Sequence, residues 1–128
     1  MGLNQDWESY FENRKGHGYL STSDGYGKVN TAVYSRPHVQ DDGKFAFIMN
    51  EGRSVTNLRE NSYAIYAFDE GGASGHRIYL EKSEILIEGL LYEKVLSESR
   101  KPPHVGNSSK HKYVALLNVC EIRPLIGG

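Results

Sequence analysis

The chain has 128 residues, with 15 basic and 16 acidic side chains and a formal net charge of −1. This length predicts a single domain over residues 1–128 with one core, and the near-neutral charge gives no long-range attraction to nucleic acid or to an anionic membrane. One cysteine, Cys120, excludes an internal disulfide and a disulfide-stapled secreted scaffold. With no apolar run of about 18 residues and no signal-peptide profile, the expected location is the cytoplasm.

Apolar stretches bounded by turn residues predict six strands. They lie at residues 19–24, 29–39, 44–50, 63–70, 76–92 and 112–125. The stretch 76–92 is either one long strand or two strands broken near Lys82. A parallel sheet needs a helix after nearly every strand, and such helices are not predicted here. The predicted fold is therefore mainly β, a small antiparallel barrel of six strands with a few short helices.

Two helices are predicted in the first half of the chain. Trp7, Tyr10 and Phe11 recur at spacings of three and four, which is typical of a short amphipathic helix. The segment 51–61 predicts a second helix with Ser54 as its N-cap.

The second half contains a weaker helical signal and an irregular segment. Residues 93–99 predict a short helix, and residues 100–112, rich in proline, serine and basic side chains, predict a loop. Cys120 lies in an apolar strand, which predicts a small core residue rather than a thiolate nucleophile.

Several common catalytic signatures do not occur in the sequence. It contains neither a GxGxxG nor a GxxxxGK[ST] pattern, and no G-x-S-x-G elbow. No metal site is predicted, because the five histidines show no paired ligand spacing. They are His17, His38, His76, His104 and His111.

The opening of the helix over 51–61 has the properties of an anion site. A helix N-terminus offers unpaired N–H groups and a partial positive charge, which favour a phosphate. Arg53 adds a fixed charge, and Ser54 and Thr56 add hydroxyl donors. On these residues alone, the alternative is that Ser54 caps the helix and Arg53 is solvated.

The stretch VNTAVYSRPHVQDDGKFAFIMNEGRSVTNLREN, residues 29–61, resembles the core of the FMN-binding split-barrel family, which includes pyridoxamine 5′-phosphate oxidase. The shared order is a strand, a DG turn, an aromatic-rich strand and a short helix that continues as NLR-x-N. The resemblance extends over Tyr19–Phe68 and implies a six-stranded antiparallel split β-barrel that binds FMN.

The resemblance also implies which residues hold the flavin. The second strand runs along the flavin, the third strand forms the other side of the slot, and the helix opening holds the phosphate. The implied cofactor-binding residues are Asn30, Thr31, Ala32, Val33, Ser35, Ile48, Met49, Arg53, Ser54 and Asn57. Many relatives carry one more basic residue at the helix opening, a charge that Arg36 or His38 is placed to supply.

The implied function is an FMN-dependent oxidoreductase that transfers hydride through the flavin N5 to or from an unknown small molecule, or an electron carrier. Tyr34 and His38 are candidate substrate contacts, and a second candidate is the basic loop around Lys101, His104, Lys110 and His111. The resemblance further implies a homodimer with FMN at the subunit interface, for which Ile78–Leu91 offers contact surface. Pyridoxal phosphate is not the expected substrate, because the chain lacks the oxidase's longer C-terminal region.

Three alternatives remain open. The same barrel could bind haem, with His104 or His111 as ligand, or carry flavin without turnover. It could instead be a deazaflavin-dependent reductase. An unrelated OB-like barrel that stacks nucleobases is the remaining alternative, and the balanced charge argues against it.

Overall fold

The computed structural model describes residues 6–99 and 112–128, which form three helices and seven strands. The helices are α1 (Trp7–Glu12), α2 (Arg53–Glu60) and α3 (Leu90–Glu98). The strands are β1 (His17–Ser23), β2 (Val29–Val33), β3 (His38–Val39), β4 (Phe45–Asn50), β5 (Tyr63–Gly71), β6 (Ser74–Leu86) and β7 (Lys112–Pro124). Apart from Lys112, the predicted loop over 100–112 lies outside the described residues, as do His104 and His111.

The seven strands form one antiparallel sheet in the order β2-β1-β5-β6-β7-β4-β3. In a flat sheet, three strand spacings of about 4.8 Å would hold β5 and β4 roughly 14 Å apart. The ring centroids of Tyr66 in β5 and Phe47 in β4 are 5.1 Å apart. The sheet therefore curls on itself into a barrel, and the predicted mainly β, antiparallel fold is confirmed.

The barrel is split between its two edge strands, β2 and β3, which residues 34–37 connect directly. The predicted strand over 29–39 is thus two strands, so the sheet has seven strands where six were predicted. Pro37 gives the physical reason, because it has no N–H for a ladder and it restricts the residue before it. The two parts of this segment belong to different hairpins, because β2 pairs with β1 and β3 pairs with β4.

Helix α1 packs its aromatic side chains into the barrel interior, as their spacing predicts. Trp7, Tyr10 and Phe11 are each at most 3% exposed. The Phe11 ring lies 5.2 Å from that of Phe68, and the Trp7 ring lies 5.8 Å from that of Phe45. These contacts join α1 to strands from both halves of the curled sheet.

Helix α3 packs on the outside of the barrel, against β4 and β7. Its Val95 is fully buried in a cluster with Ala46, Val114 and Leu116. The helix begins at Leu90, three residues before the predicted start.

Strand β6 ends at Leu86, whereas the predicted strand extends to residue 92. Residues 90–92 belong to α3 instead. Strand β6 is one strand rather than two, and its register against β7 shifts between Lys82 and Glu84. The irregularity thus falls where the sequence predicts a possible break.

One outer surface of the sheet is apolar and is not covered by the described residues. Val29, Val33 and Tyr63 are 76%, 71% and 65% exposed. Cys120 is exposed beside Tyr63 and Tyr79, so the prediction that it is a core residue is wrong. The β6–β7 register skips Cys120, which leaves it unpaired at a bulge. These five residues define the outer face.

None of the helices in residues 6–99 and 112–128 has the length and apolar character that crossing a membrane requires. The longest of them, α3, has nine residues, whereas a spanning helix needs about 20.

Candidate functional site

A cavity of about 630 Å³ lies at the split of the barrel. One side consists of residues 16–18 and 33–36, from β1, β2 and the segment after β2. The other side consists of His38 in β3 and Ile48 in β4. Pockets of about 300–1,000 Å³ are typical of small-molecule sites. We refer to it as the split cavity.

Three aromatic side chains form the floor of the split cavity. They are Phe47, Tyr66 and Phe68, each at most 2% exposed. The Tyr66 and Phe68 rings are stacked with an interplanar angle of 25° and centroids 6.4 Å apart. The floor is therefore apolar and is held rigid by the packing of the barrel core.

Two glycines keep the cavity wall close to this floor. A Cβ atom on Gly18 would overlap the hydroxyl group and ring of Tyr66, and one on Gly16 would overlap the carbonyl oxygen of Asp69. Only glycine allows the backbone to approach so closely. The shape of the cavity thus depends on the Gly-x-Gly spacing at the start of β1.

The Tyr66 hydroxyl group holds the segment that joins the two edge strands. It donates a hydrogen bond to the carbonyl oxygen of Tyr34, with a donor–acceptor distance of 3.1 Å. Burial raises the pKa of Tyr66, and the nearby Arg36 guanidinium acts in the opposite direction. The phenol therefore stays protonated at neutral pH and remains a hydrogen-bond donor.

Five of the residues predicted to bind cofactor or substrate line the split cavity. They are Val33, Tyr34, Ser35, His38 and Ile48. The Nδ1 atom of His38 lies 3.7 Å from a carboxylate oxygen of Glu98 in α3. The structure thus brings together parts of the chain that the resemblance assigned to the two sides of the flavin slot.

Met49 and Asn57 are not placed at the cavity. Met49 is 1% exposed within the barrel core, because successive strand residues face opposite sides and its neighbour Ile48 faces outward. Asn57 is 2% exposed, and its Nδ2 donates to Thr22 Oγ1 at 3.1 Å. This hydrogen bond fastens α2 to β1.

Asn30, Thr31 and Ala32 lie in the edge strand β2, outside the cavity lining. Thr31 Oγ1 is 3.0 Å from Ser21 Oγ in the adjacent β1. Since β2 pairs with β1 on one side, half of its backbone groups point away from the sheet. Those N–H and C=O groups are available to a ligand at the split.

Arg53 and Ser54 lie in the first turn of α2, as predicted. The helix begins at Arg53 with Gly52 as its N-cap, so the prediction of Ser54 as N-cap is wrong. Gly52 has no capping side chain, and the N–H groups of the first turn keep the affinity for an anion described above. Ser54 is 7% exposed and Arg53 is exposed.

Arg53 lies near the β1–β2 turn. The pKa of Asp24 in that turn is lowered first by the backbone N–H groups of Lys28 and Tyr26, and also by the charges of Lys28 and Arg53. The last turn of α2 contacts the β1–β2 turn directly, because the Gly25 N–H donates to Glu60 Oε1 at 2.9 Å.

A second group of ionisable side chains fastens α1 to the β5–β6 hairpin, away from the cavity. The Tyr10 hydroxyl donates to Glu70 and lies 2.9 Å from His76 Nδ1. Arg14 Nε is 3.7 Å from Glu70 Oε2. Burial raises the pKa of Tyr10 and lowers that of His76. None of these side chains lines the split cavity, so their evident role is to dock α1.

The residues missed by the sequence analysis are those that meet through the curl of the sheet. They are Gly16, His17, Gly18, Phe47, Tyr66, Phe68 and Ser99. The Gly16-His17-Gly18 spacing at the start of a strand could have indicated a close backbone approach. For Tyr66, no local sequence pattern indicates that it reaches the cavity.

No family model matches the chain, and no curated protein matches it. Solved structures do. An FMN-binding protein from Syntrophomonas wolfei is 21% identical, with a TM-score of 0.78 over 98% of this chain and 88% of its own. HutZ, the haem storage protein of Vibrio cholerae, is 16% identical, with a TM-score of 0.69 over 97% of this chain and 95% of its own.

A third similar structure is a pyridoxamine 5′-phosphate oxidase-related, FMN-binding protein from Nostoc punctiforme. It is 9% identical, with a TM-score of 0.64 over 94% of this chain and 84% of its own. At such identities the likeness establishes the fold. The chain has the split β-barrel fold found in FMN-binding and pyridoxamine 5′-phosphate oxidase-like proteins, as the resemblance of residues 29–61 implied.

Proposed function

We propose that the protein binds FMN at the split of the barrel and is an oxidoreductase acting on a small molecule. The observation that carries this proposal is the split cavity itself. Val33, Ser35 and Ile48, which the resemblance assigned to the flavin, line one cavity of about 630 Å³ in a fold shared with FMN-binding proteins. The isoalloxazine ring would lie in this cavity.

The residues present fit a flavin in three respects. The floor of Phe47, Tyr66 and Phe68 is apolar and suits a flat ring system. The edge strand β2 presents backbone groups to a ligand, and such groups can orient the ring edge. The first turn of α2, with Arg53 and Ser54, combines N–H donors with a fixed charge, which is what a phosphate requires.

Bound FMN would supply hydride transfer, and the protein would supply binding, orientation and electrostatics. Backbone N–H groups of the edge strand would stabilise negative charge on the reduced ring. Tyr66 would keep the residues beside the ring in place through its hydrogen bond to Tyr34. This division of labour does not require an acid–base pair in the cavity.

We expect Arg53→Gln to weaken FMN binding roughly 10- to 100-fold, which corresponds to ~1–3 kcal/mol for a lost charge-assisted hydrogen bond. Riboflavin, which lacks the phosphate, should bind equally to both proteins. Dissociation constants from quenching of flavin fluorescence provide the measurement. Arg59→Gln, in the last turn of the same helix, is the matched control and should leave both affinities unchanged. An equal loss for FMN and riboflavin would contradict a phosphate role for Arg53.

The absorption spectrum of the purified protein separates FMN from the other cofactors. A flavin spectrum, or its appearance on adding FMN, supports the proposal. A Soret band would favour haem, the ligand of the structurally similar HutZ, and reduction of an added deazaflavin without FMN retention would favour a deazaflavin reductase. If the protein shows no spectral change with FMN, haem or a deazaflavin, cofactor binding at the split is refuted.

We further propose that two copies of the chain pair through the outer face and complete the flavin site. Val29, Val33 and Tyr63 are large apolar side chains exposed together, a feature typical of interaction surfaces. Val33 also lines the split cavity, so a partner on this face would border the ligand.

We expect Tyr63→Asp to shift the protein from dimer to monomer, because it places a charge in an apolar interface. Light scattering coupled to size-exclusion chromatography measures the mass directly. Tyr26→Asp is the matched control, because Tyr26 is 97% exposed but lies in the β1–β2 turn. A wild-type chain that is monomeric at high concentration would refute the dimer.

A further inference from the structure

We infer that the hydrogen-bond network of His76, Tyr10 and Glu70 is a pH-sensitive latch on helix α1. The latch holds α1 against the β5–β6 hairpin while His76 is neutral, and it releases α1 when His76 is protonated. Release of α1 loosens the wall of the split cavity. The latch itself does not depend on any ligand, whereas its effect on flavin binding rests on the proposed function.

The positions of the protons in the latch follow from the number of donors. Tyr10 has one hydroxyl proton, which it donates to the Glu70 carboxylate. His76 Nδ1 lies 2.9 Å from the same hydroxyl oxygen, so Nδ1 is the donor in that hydrogen bond. Neutral His76 is therefore the Nδ1–H tautomer, with an unprotonated Nε2. Protonation of Nε2 adds a charge to the latch but leaves its hydrogen bonds the same in number.

The surroundings of His76 disfavour that charge. The imidazole is nearly perpendicular to the rings of Trp7 and Tyr10, with centroids 6.2 and 5.4 Å away. Its side chain is 20% exposed, so most of its hydration is lost when α1 is docked. Burial therefore lowers the pKa of His76.

The carboxylate that faces His76, that of Glu70, is already shared by other groups. His76 Nδ1 is 4.0 Å from Glu70 Oε2, which is too long for a hydrogen bond. The carboxylate accepts hydrogen bonds from Tyr10 and from Ser74 Oγ, the latter at 3.2 Å, and lies 3.7 Å from Arg14 Nε. A protonated His76 would thus lie beside a carboxylate that is largely compensated and near a fixed positive charge.

The neighbouring strand β7 supplies no compensating charge to this side of the sheet within the described residues. It places Pro124 opposite His76. Arg77 and Arg123 are adjacent to these two residues in their strands, so their side chains point to the other face of the sheet.

The direction of the pH effect follows from these contacts. When α1 is undocked, His76 is hydrated and has its ordinary pKa of 6.5, whereas in the docked state the pKa is lower. The docked state therefore binds fewer protons, so docking is complete above pH 6.5 and is lost as the pH falls from there through the lowered pKa. Between these two values, each pH unit weakens docking by up to about tenfold.

The latch is connected to the split cavity through β5 and through residues 13–16, which join α1 to β1. Gly16 lines the cavity and approaches the carbonyl oxygen of Asp69, the residue before Glu70. The Tyr10 ring lies 6.0 Å from that of Phe68, which is part of the cavity floor. Undocking of α1 therefore removes a packing partner from the floor and frees the segment that leads into the wall.

The first test follows the ring nitrogens of His76 by ¹⁵N NMR in the flavin-free protein. We expect the Nδ1–H tautomer at neutral pH and a titration with a pKa below 6.5. Over the same pH range, the amides of residues 7–12 should lose protection from exchange by up to about tenfold per pH unit, after correction for intrinsic rates. Tyr10→Phe should abolish the preference for the Nδ1–H tautomer, because it removes the acceptor.

A variant without the titrating group separates the latch from general acid unfolding. In His76→Asn the side-chain amide replaces the Nδ1–H donor and carries no charge, so protection of residues 7–12 should persist through the wild-type transition. His17→Gln, which removes an exposed histidine of β1, is the matched control and should keep the wild-type profile. Equal loss of protection in the wild type and His76→Asn would overturn the inference. An Nε2–H tautomer, or a pKa at or above 6.5, would overturn it in the wild type alone, even if the variant fails to fold.

The effect on the cavity is measured with riboflavin, because the phosphate of FMN itself titrates near a pH of about 6. We expect the riboflavin affinity of the wild type to fall together with the protection of residues 7–12, and that of His76→Asn to stay constant. A wild-type affinity that stays constant while protection is lost would refute control of the cavity by α1. Absence of binding at every pH would refute the proposed function alone, because the His76 titration reports the latch without any ligand.

Discussion

Replacing Gly18 with alanine is expected to destabilise the protein by about 3 kcal/mol, at the upper end of the range for overpacked interiors. The added Cβ would overlap the Tyr66 hydroxyl and ring, and Tyr66 is fully buried. The ring is held among Phe11, Phe47 and Phe68, so it cannot move aside without disturbing the core. The free energy of unfolding in urea measures the effect.

Gly25→Ala is the matched control for this substitution. The nearest atom to a Cβ at Gly25 is Glu60 Oε1 at 3.5 Å, an ordinary contact, so we expect a change within about 0.5 kcal/mol. The double variant Gly18→Ala/Tyr66→Leu should be less destabilised than the sum of its single variants, because the clash is shared between the two residues. If Gly18→Ala matched the wild type in stability and in flavin affinity, the close approach would have no consequence for the cavity.

Phe11→Ala should cost about 3–5 kcal/mol, the usual loss for truncating a buried phenylalanine. Phe11 is 3% exposed, and its ring lies 5.8 Å from that of Phe45 and 5.2 Å from that of Phe68. Helix α1 has six residues, too few to be stable without tertiary contacts. We therefore expect α1 to undock, and thermal unfolding together with amide exchange of residues 7–12 measures this.

The control for Phe11 is its exposed neighbour Glu12, whose replacement by alanine should change stability by less than about 0.5 kcal/mol. Because α1 is followed by the glycines of the cavity wall, Phe11→Ala should also weaken FMN binding. A loss of stability below about 1 kcal/mol would show that α1 does not depend on this ring.

The local parts of the fold were predictable because their signals are local. The β1–β2 turn follows from Asp24, whose carboxylate accepts the N–H groups of Tyr26 and Lys28. The second hairpin follows from Gly43, which has a φ of +89° that other residues rarely adopt. The spacing of Trp7 and Phe11 likewise places α1 in the core.

The split cavity was only partly predictable because it depends on the curl of the whole sheet. Tyr66 and Gly18 are 48 positions apart in the sequence, and their contact requires β1 and β5 to pair in one register. The alternation of side chains along a strand does distinguish two of the residues that were assigned to the flavin slot. Ile48 and Met49 are adjacent in β4, so their side chains point to opposite faces of the sheet. The structure assigns Ile48 to the cavity and Met49 to the core.

The helix predicted over 51–61 shows that the preference of one residue type for the N-cap does not locate the start of a helix. Serine is favoured at an N-cap, which predicts Ser54 there, but the N-cap of α2 is Gly52, two residues earlier. Glu51, just before the helix, accepts a hydrogen bond from the Tyr113 hydroxyl at 2.6 Å. Such a long-range contact to β7 helps set where the chain turns into the helix, and the local pattern contains no trace of it.

The location of Trp7 gives the protein a built-in optical reporter. It is the single tryptophan of the chain, whereas there are nine tyrosines, and it is 3% exposed within α1. Fluorescence excited at the long-wavelength edge of aromatic absorption, where tyrosine does not absorb, therefore comes from Trp7 alone. The wavelength of its emission maximum follows the solvation of Trp7, so it reports whether α1 is docked in the barrel.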